Sequence, residues 1–153
     1  MDKLGVGIIG CGWVAGEYVK AFGNDERSEV RALVSRSSAS AERYRDKFNL
    51  QCSVGTDAAA MLRQSDIDIV VVSTPHDLHT RYVVAAAEAG KHIVVEKPPA
   101  ITVEDMRKQL HAVRRNKVKT IVGFVLHWNP LLMNIDRLIE QRALGDIFMV
   151  EVD

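Results

Sequence analysis

The chain has 153 residues, the size of one ordinary domain, and its 20 Lys and Arg residues balance 20 Asp and Glu residues. Hydrophobic residues make up 47% and charged residues 26%, values that are typical of a folded globular protein and exclude intrinsic disorder. The formal net charge of zero provides no electrostatic surface for nucleic acid. Cys11 and Cys52 form no CxxC pair, so we expect neither a disulfide framework nor a metal site.

The apolar runs of the chain are short. The longest, such as residues 69–72 and 83–87, fall far below the ~20 residues that a membrane-spanning helix needs. The N-terminus enters an apolar strand pattern at once, without the basic segment and long apolar stretch of a secretory signal. We therefore expect a cytoplasmic protein that binds neither a membrane nor nucleic acid.

Strand and helix patterns alternate along the chain. In chain order, the sequence predicts a strand over residues 4–9, a helix over 14–22, a strand over 30–34, a helix over 39–48, a strand over 52–54, a short helix over 58–62, a strand over 67–73, a helix over 78–89, a strand over 92–96, a helix over 103–116, a strand over 120–125 and a helix over 130–142. The expected N-caps are Ser38, the pair Thr56-Asp57 and Thr102, and the expected C-cap is Gly90. This alternation predicts an α/β fold, a doubly wound parallel sheet of the Rossmann type.

A seventh apolar strand is predicted over residues 147–152, and no later element is present to cover it. We therefore expect two parts: residues 1–145 as one dinucleotide-binding domain, and residues 146–153 as the first strand of a truncated second domain.

The strongest motif is a G-x-G-x-x-A turn over residues 10–15, directly after the first strand. Gly10 permits a tight turn, Gly12 lets the backbone approach a pyrophosphate, and Ala15 allows close packing of helix on strand. The N-terminus of the following helix adds free N–H groups and partial positive charge. The motif predicts a dinucleotide site that includes Gly10, Gly12, Trp13 and Val14.

The end of the second strand bears on the choice of cofactor. An NAD-specific fold places an acidic residue there to bind the ribose hydroxyls, whereas this chain has Ser35 and Arg36. Hydroxyls and a guanidinium bind a 2′-phosphate that a carboxylate would repel. The segment therefore favours NADP over NAD. The alternative interpretation of the segment is a solvated polar loop in which Arg36 binds no cofactor.

Two further segments follow the fourth and fifth strands. After the fourth, Pro75 ends the strand and Thr74 is expected to point its hydroxyl at a cofactor ribose, while His76 and His79 are either site residues or helix-start residues. After the fifth, Lys97 follows Glu96, at the edge where open α/β sheets bind ligands. A lysine there can hydrogen-bond a substrate oxygen whose charge changes during hydride transfer.

Together these residues resemble one family. The resemblance rests on Gly10-Cys11-Gly12, Thr74-Pro75 with His79, the segment Ala-Gly-Lys-His-Ile-Val-Val-Glu-Lys-Pro over residues 89–98, and Val122-Gly123-Phe124, Asn129-Pro130 and Leu144-Gly145-Asp146-Ile147. The chain is similar over nearly its whole length to the glucose–fructose oxidoreductase, inositol dehydrogenase and rhizopine-catabolism (Gfo/Idh/MocA) family. His76 departs from it, because the family usually has asparagine after Thr-Pro.

The resemblance implies a two-domain NAD(P)-dependent oxidoreductase of sugars, cyclitols or related polyols. It implies that Lys97 is the catalytic residue that contacts the reacting oxygen, that Glu96 and Lys97 lie at the cofactor, and that the Lys97–Pro98 bond is cis. It also implies an α+β second domain that supplies substrate contacts, a second catalytic residue and the interface of a homo-oligomer. Trp128 is expected either to lie at the edge of the nicotinamide pocket or to have a packing role only.

We interpret the chain as the cofactor half of such a dehydrogenase, with NADP preferred to NAD, and we expect it to be inactive alone. The alternative is a non-catalytic regulator that uses the same fold to sense NAD(P), since a fold does not determine a function. The presence of Lys97 favours the enzyme.

Overall fold

The structure, a computed structural model, describes residues 3–151. The contacts divide the chain into two compact units, the first ending at Gly123 and the second beginning at Phe124. The predicted division into residues 1–145 and 146–153 stays a prediction.

The first unit contains six parallel strands and five helices. The strands are β1 (Leu4–Ile9), β2 (Ser28–Val34), β3 (Ser53–Gly55), β4 (Ile69–Val72), β5 (His92–Val95) and β6 (Thr120–Val122). The helices are α1 (Ala15–Gly23), α2 (Ser38–Lys47), α3 (Ala58–Leu62), α4 (His79–Glu88) and α5 (Val103–Asn116). The strands form one sheet in the order β3-β2-β1-β4-β5-β6, which confirms the predicted doubly wound fold.

The core lies on both faces of the central strands. Val70, Val71 and Val72 of β4 are fully buried, and successive side chains point to opposite faces of a strand. Val70 and Val72 therefore belong to one apolar cluster, whereas Val71 joins Ile8 of β1 in the other. Burial on both faces explains why β4 is apolar throughout rather than alternating.

The strand order reverses between β1 and β4. Chain order runs outward from β1 through β2 to β3 on one side, and from β4 through β5 to β6 on the other. At such a switch point the loops that follow the two strands leave in opposite directions and open a crevice at the carboxyl edge of the sheet. Gly10, the first residue after β1, and Thr74, the second residue after β4, line that crevice.

The helix ends are set by local hydrogen bonds. Asp57 and Thr102 cap α3 and α5 as predicted, and Gly90 has the expected positive φ of 72° after α4. The cap of α2 is Ser37 rather than the predicted Ser38. Ser37 has an extended backbone and its side chain accepts a hydrogen bond from the amide of Ser40, whereas Ser38 is already helical.

Two predicted strands differ in the structure, and for the same reason. β6 ends at Val122 rather than at residue 125, because its neighbour β5 ends at Val95, the partner of Val122. Residues 147–151 form no strand, since no described segment pairs with them and a strand needs inter-strand hydrogen bonds. Residue 152 lies outside the described residues.

The second unit contains a 3₁₀ turn over Val125–Trp128 and one further helix, α6 (Pro130–Glu140). Asn129 caps α6 by accepting a hydrogen bond from the amide of Leu131 at 2.9 Å. Across residues 3–151, no helix combines the length and the apolar character that crossing a membrane requires.

Candidate functional site

The turn after β1 requires glycine at its first position. Gly10 has a φ of +100°, and a Cβ there would stand 2.5 Å from the carbonyl oxygen of Ser73 at the end of β4. The Gly10 amide donates to the carbonyl oxygen of Val34 at 2.8 Å. The backbone of this turn is therefore held between the ends of β2 and β4, where any side chain would collide with backbone atoms.

The N-terminus of α1 has free donors. No described residue accepts a hydrogen bond from the amides of Gly12, Trp13, Val14 or Ala15, and Val14 caps the helix without a side-chain hydrogen bond. A Cβ at Gly12 would meet no protein atom within 4 Å. An anion such as a phosphate can bind here, because the amides are free, the helix dipole has its positive end at this point and there is open space at Gly12.

Helix α2 holds this turn from the side. The hydroxyl of Tyr44 donates to the carbonyl oxygen of Gly12 at 3.0 Å, and burial is the main cause that raises the pKa of Tyr44 to about 12. Gly16 must stay small, because a Cβ there would lie 3.0 Å from Phe48 and 3.1 Å from the Tyr44 hydroxyl. Ala15 is fully buried, as the close packing of helix on strand predicts.

The crevice beside this turn has a volume of about 730 Å³. It is lined by Ile9, Gly10, Cys11, Gly12, Val34, Ser35, Arg36, Ser37, Ser40, Thr56, Ser73, Thr74, Pro75, Leu78 and Tyr82. Arg36 is the one charged residue in this lining, so the described wall of the crevice carries no carboxylate. The arrangement suits a ligand that brings negative charge and hydroxyl groups.

Thr74 provides an unsatisfied polar atom in this wall. Its hydroxyl oxygen is buried and has no hydrogen-bond partner within the described part of the chain. The neighbouring Ser73 is satisfied, because its hydroxyl donates to the carbonyl oxygen of Gly10 at 2.9 Å. A buried hydroxyl without a partner is costly, so a ligand atom that bonds Thr74 would remove that cost.

Polar groups cluster at the end of the crevice that follows β2. Ser37 and Ser40 share a hydrogen bond of 3.0 Å between their hydroxyls, and Arg43 donates to the Ser40 hydroxyl at 3.3 Å. Arg36 is exposed and pairs with no carboxylate among residues 3–151. Two guanidinium groups therefore stand at or near this end of the crevice.

The segment after β5 is held by buried groups. Glu96 is 7% exposed, accepts a hydrogen bond from the Tyr18 hydroxyl at 2.6 Å, and accepts another from the amide of Lys97 at 3.1 Å. Burial first, and then Glu96, raises the pKa of Tyr18 well above its usual value. The Lys97–Pro98 peptide bond is cis, as the resemblance implied, and the Lys97 side chain is exposed.

Comparison with known proteins agrees with this geometry. Residues 4–124 match a family described as an oxidoreductase family with an NAD-binding Rossmann fold, the Gfo/Idh/MocA family. The chain belongs to the Gfo/Idh/MocA oxidoreductase family. Its matched segment covers β1 to β6, which contain the glycine turn and the Lys97 segment.

Two relatives in this family are 31% identical to the chain. One is an inositol 2-dehydrogenase of Rhizobium meliloti, matched over 95% of this chain, and the other a levoglucosan dehydrogenase of Pseudarthrobacter phenanthrenivorans, matched over 96%. The chain spans 43% of the length of the first relative and 40% of the second. The chain is thus similar to less than half of each.

Solved structures of the family have the same fold. A levoglucosan dehydrogenase in complex with NADH and L-sorbose superposes with a TM-score of 0.88 at 28% identity, over 97% of this chain and 42% of its own. A 3-ketoreductase from Actinomadura kijaniata in complex with NADP and TDP-benzene superposes with a TM-score of 0.86 at 25% identity, over 95% of this chain and 45% of its own.

Apart from His79, the predicted site residues fall into three groups. Six of them line the crevice: Gly10, Gly12, Ser35, Arg36, Thr74 and Pro75. Trp13, Val14, His76, Glu96 and Lys97 lie in the segments that follow β1, β4 and β5, outside the crevice lining. Trp128 belongs to the second unit and lies in its 3₁₀ turn, so its predicted cofactor contact stays a prediction.

His79 was expected to be either a site residue or a helix-start residue, and the structure places it buried at the start of α4. The side chain is 0% exposed, and its two ring nitrogens face the carbonyl oxygens of Thr74 and Pro98. A residue without accessible surface and with both nitrogens engaged by the backbone has no atom left for a ligand.

Several residues that shape the site have no signature in the sequence. Tyr18, Tyr44 and Gln109 look like ordinary helix residues, yet each holds a loop at the carboxyl edge of the sheet.

A second depression, about 830 Å³, is larger than the crevice. It lies beside the amino ends of β2 and β3, and mixes acidic and basic groups such as Glu29, Arg31 and Asp66. The helix N-terminus and glycine turn are at the opposite edge, and open parallel sheets bind ligands at their carboxyl edge. We therefore assign the functional site to the crevice.

Cys11, which lines the crevice, is expected to be a slow nucleophile. Burial is the largest of the causes that raise the pKa of the Cys11 thiol to about 11, and the thiolate is the form that reacts. At pH 8, Cys11 should react with iodoacetamide roughly a hundredfold more slowly than an ordinary cysteine, and about tenfold faster for each pH unit up to about 11. Peptide mass spectrometry of the labelled protein measures this rate. A rate equal to that of a free thiol, with a plateau near pH 9, would contradict the raised pKa of Cys11.

Proposed function

We propose that this chain is the dinucleotide-binding part of an NAD(P)-dependent oxidoreductase that oxidises a sugar, cyclitol or similar polyol, or reduces the corresponding carbonyl. The observation that carries the proposal is the pairing of an open, uncapped helix N-terminus at Gly12 with the unpartnered hydroxyl of Thr74 in one crevice. Phosphate and ribose groups satisfy these two features at once.

Binding follows from the chain's own groups. The free amides from Gly12 to Ala15 hold the pyrophosphate, and the absence of a Cβ at Gly12 leaves room for it. The Thr74 hydroxyl bonds a ribose or nicotinamide oxygen on the other side of the crevice. Tyr44, through the Gly12 carbonyl, keeps the turn in the conformation that this binding needs.

A nicotinamide dinucleotide held by these groups would supply the hydride acceptor or donor. Lys97 supplies the polar group: its exposed ammonium hydrogen-bonds the substrate oxygen and stabilises the charge that develops there. Glu96 fixes the backbone of Lys97 through the 3.1 Å bond to its amide. A hydrogen-bond donor that is already in position before the reaction begins does not have to move when charge develops on the substrate oxygen.

The substrate class is inferred from the relatives, which are named for inositol and levoglucosan. Because the chain spans about 40% of their lengths, we propose that residues beyond this chain complete the substrate pocket and provide a second catalytic residue. We therefore expect the 153-residue chain to bind a dinucleotide and to show no turnover above background.

NADP is the proposed preferred cofactor. The described crevice wall has no carboxylate at the end that follows β2, where an NAD-specific fold would place one. Arg36 lines the crevice there, and Arg43 stands behind Ser40. Guanidinium groups bind the 2′-phosphate of NADP with charge-assisted hydrogen bonds that NAD cannot make.

Gly12→Ala tests the central proposal. The new Cβ meets no protein atom within 4 Å, so the melting temperature should stay within a few degrees of wild type. It occupies the space that the pyrophosphate needs, so the affinity for NADPH, measured by fluorescence titration, should fall by at least about tenfold. Gly23→Ala is the matched control, since its Cβ also meets nothing within 4 Å and it lies at the other end of α1. Equal affinity for both variants and wild type would overturn the placement of the phosphates.

Arg36→Ala tests the cofactor preference. Losing a charge-assisted hydrogen bond of ≈ 1.5–3 kcal/mol should weaken NADPH binding roughly tenfold to a hundredfold and leave NADH nearly unchanged. Arg45→Ala is the control. It also removes one positive charge, but Arg45 lies in α2 and lines the depression at the amino edge of the sheet rather than the crevice. Equal losses for the two nucleotides would mean that Arg36 does not face the 2′-phosphate.

Lys97→Ala tests the chemical role in the complete oxidoreductase. Removing one electrostatic donor of this kind costs ≈ 2.7–4 kcal/mol at the transition state, so kcat should fall by about a hundredfold to a thousandfold while the dinucleotide Kd changes little. Lys119→Ala, an exposed lysine before the amino end of β6, should leave kcat unchanged. An unchanged kcat with a raised dinucleotide Kd would make Lys97 a nucleotide contact instead.

A further inference from the structure

His79, the first residue of α4, bridges two backbone carbonyl groups. Its Nε2 lies 2.8 Å from the carbonyl oxygen of Thr74, and its Nδ1 lies 2.9 Å from that of Pro98. Carbonyl oxygens only accept hydrogen bonds, so each contact is a hydrogen bond when the facing nitrogen carries a proton. The neutral ring donates one of them, and the protonated ring donates both.

The two carbonyl groups belong to different segments at the carboxyl edge of the sheet. Thr74 follows β4 and has the buried hydroxyl without a partner in the crevice. Pro98 follows Lys97 in the segment after β5. A single buried ring therefore sets the spacing between the segment that is proposed to touch the nucleotide and the segment that is proposed to touch the substrate.

The Pro98 side of this bridge is itself supported. Gln109 of α5 is 4% exposed, and its amide nitrogen donates to the carbonyl oxygen of Pro99 at 2.7 Å and to the Thr80 hydroxyl at 2.9 Å. Thr80 directly follows His79 in α4. Glu96 accepts a hydrogen bond from the amide of Lys97, so two buried side chains other than His79 hold this segment on either side of Pro98.

We propose that His79 is a positioning residue for the dinucleotide site: it holds Thr74 against the Lys97–Pro99 segment, so that the Thr74 hydroxyl meets the bound nucleotide. His79 does not touch the ligand, because it has no accessible surface. Without the imidazole, these partly buried carbonyl groups lose their donor and the segment after β4 relaxes. The inference rests on the proposed function, because it takes Thr74 to be a nucleotide contact.

A double-mutant cycle on the Kd for NADPH separates positioning from general destabilisation. His79→Leu alone should weaken binding by about tenfold. In a Thr74→Val background, which already lacks the hydroxyl, the same change should cost less than about twofold, because the group that His79 positions is gone. In an Arg36→Ala background the full loss, about tenfold, should recur, since Arg36 lies at the other end of the crevice.

The conservative variant His79→Gln keeps the experiment informative if His79→Leu does not fold. Its amide can still donate to one carbonyl group, so its Kd should lie between those of wild type and His79→Leu. Circular dichroism and the melting temperature establish that each variant is folded, and His79→Gln takes the place of His79→Leu in the cycle if the latter does not fold. His111→Leu, an exposed histidine of α5, is the matched control and should bind like wild type.

Each outcome has one meaning. Equal losses in the wild-type, Thr74→Val and Arg36→Ala backgrounds would overturn the inference, because a merely structural histidine acts alike in all three. An unchanged Kd in folded His79→Leu, or in folded His79→Gln where that variant replaces it, would also overturn it. A wild-type chain that does not bind NADPH or NADH would reject the proposed function, and the inference with it.

Discussion

The site depends on one close approach of backbone to backbone, between the turn after β1 and the end of β4. Gly10 passes so near the carbonyl group of Ser73 that even a Cβ would collide with it. The turn leads into α1, whose first amides have no acceptor among the described residues, and Gly12 lines the same crevice as Thr74, whose hydroxyl is buried. The anion site and the unpartnered hydroxyl are thus two consequences of the topology at the β1–β4 switch point.

A second constraint acts on the loops rather than on the strands. The segment from Glu96 to Pro99 is held by side chains of α1, α4 and α5, namely Tyr18 through Glu96, His79 and Gln109. All three contacts involve partly buried polar groups, and the contact of His79 is a hydrogen bond when its Nδ1 carries the proton. The exposed side chain of Lys97 therefore belongs to a segment whose backbone is held by several contacts, which suits the proposed role of Lys97.

The sequence was most informative where the chemistry is local. The turn over residues 10–15 and the buried strand β4 were predictable, because their signals lie within a few neighbouring residues. His79 was not, since its role depends on Pro98, which is 19 residues away, and Tyr18 meets Glu96 across 78 residues. The predicted end of β6 at residue 125 was wrong, and residues 147–151 of the strand predicted over 147–152 form no strand. Strand length depends on the partner strand, which a single segment does not reveal.

The most direct test of the account is to map the dinucleotide on the chain by ¹⁵N–¹H NMR during titration with NADPH. The account predicts that the largest shifts fall on the amides of Gly12, Trp13, Arg36 and Thr74, which surround the carboxyl-edge crevice. Amides at the amino edge, such as those of Glu29 and Asp66, should not move. Saturating NADPH that shifts no amide, or shifts mainly those at the amino edge, would contradict the assignment of the site.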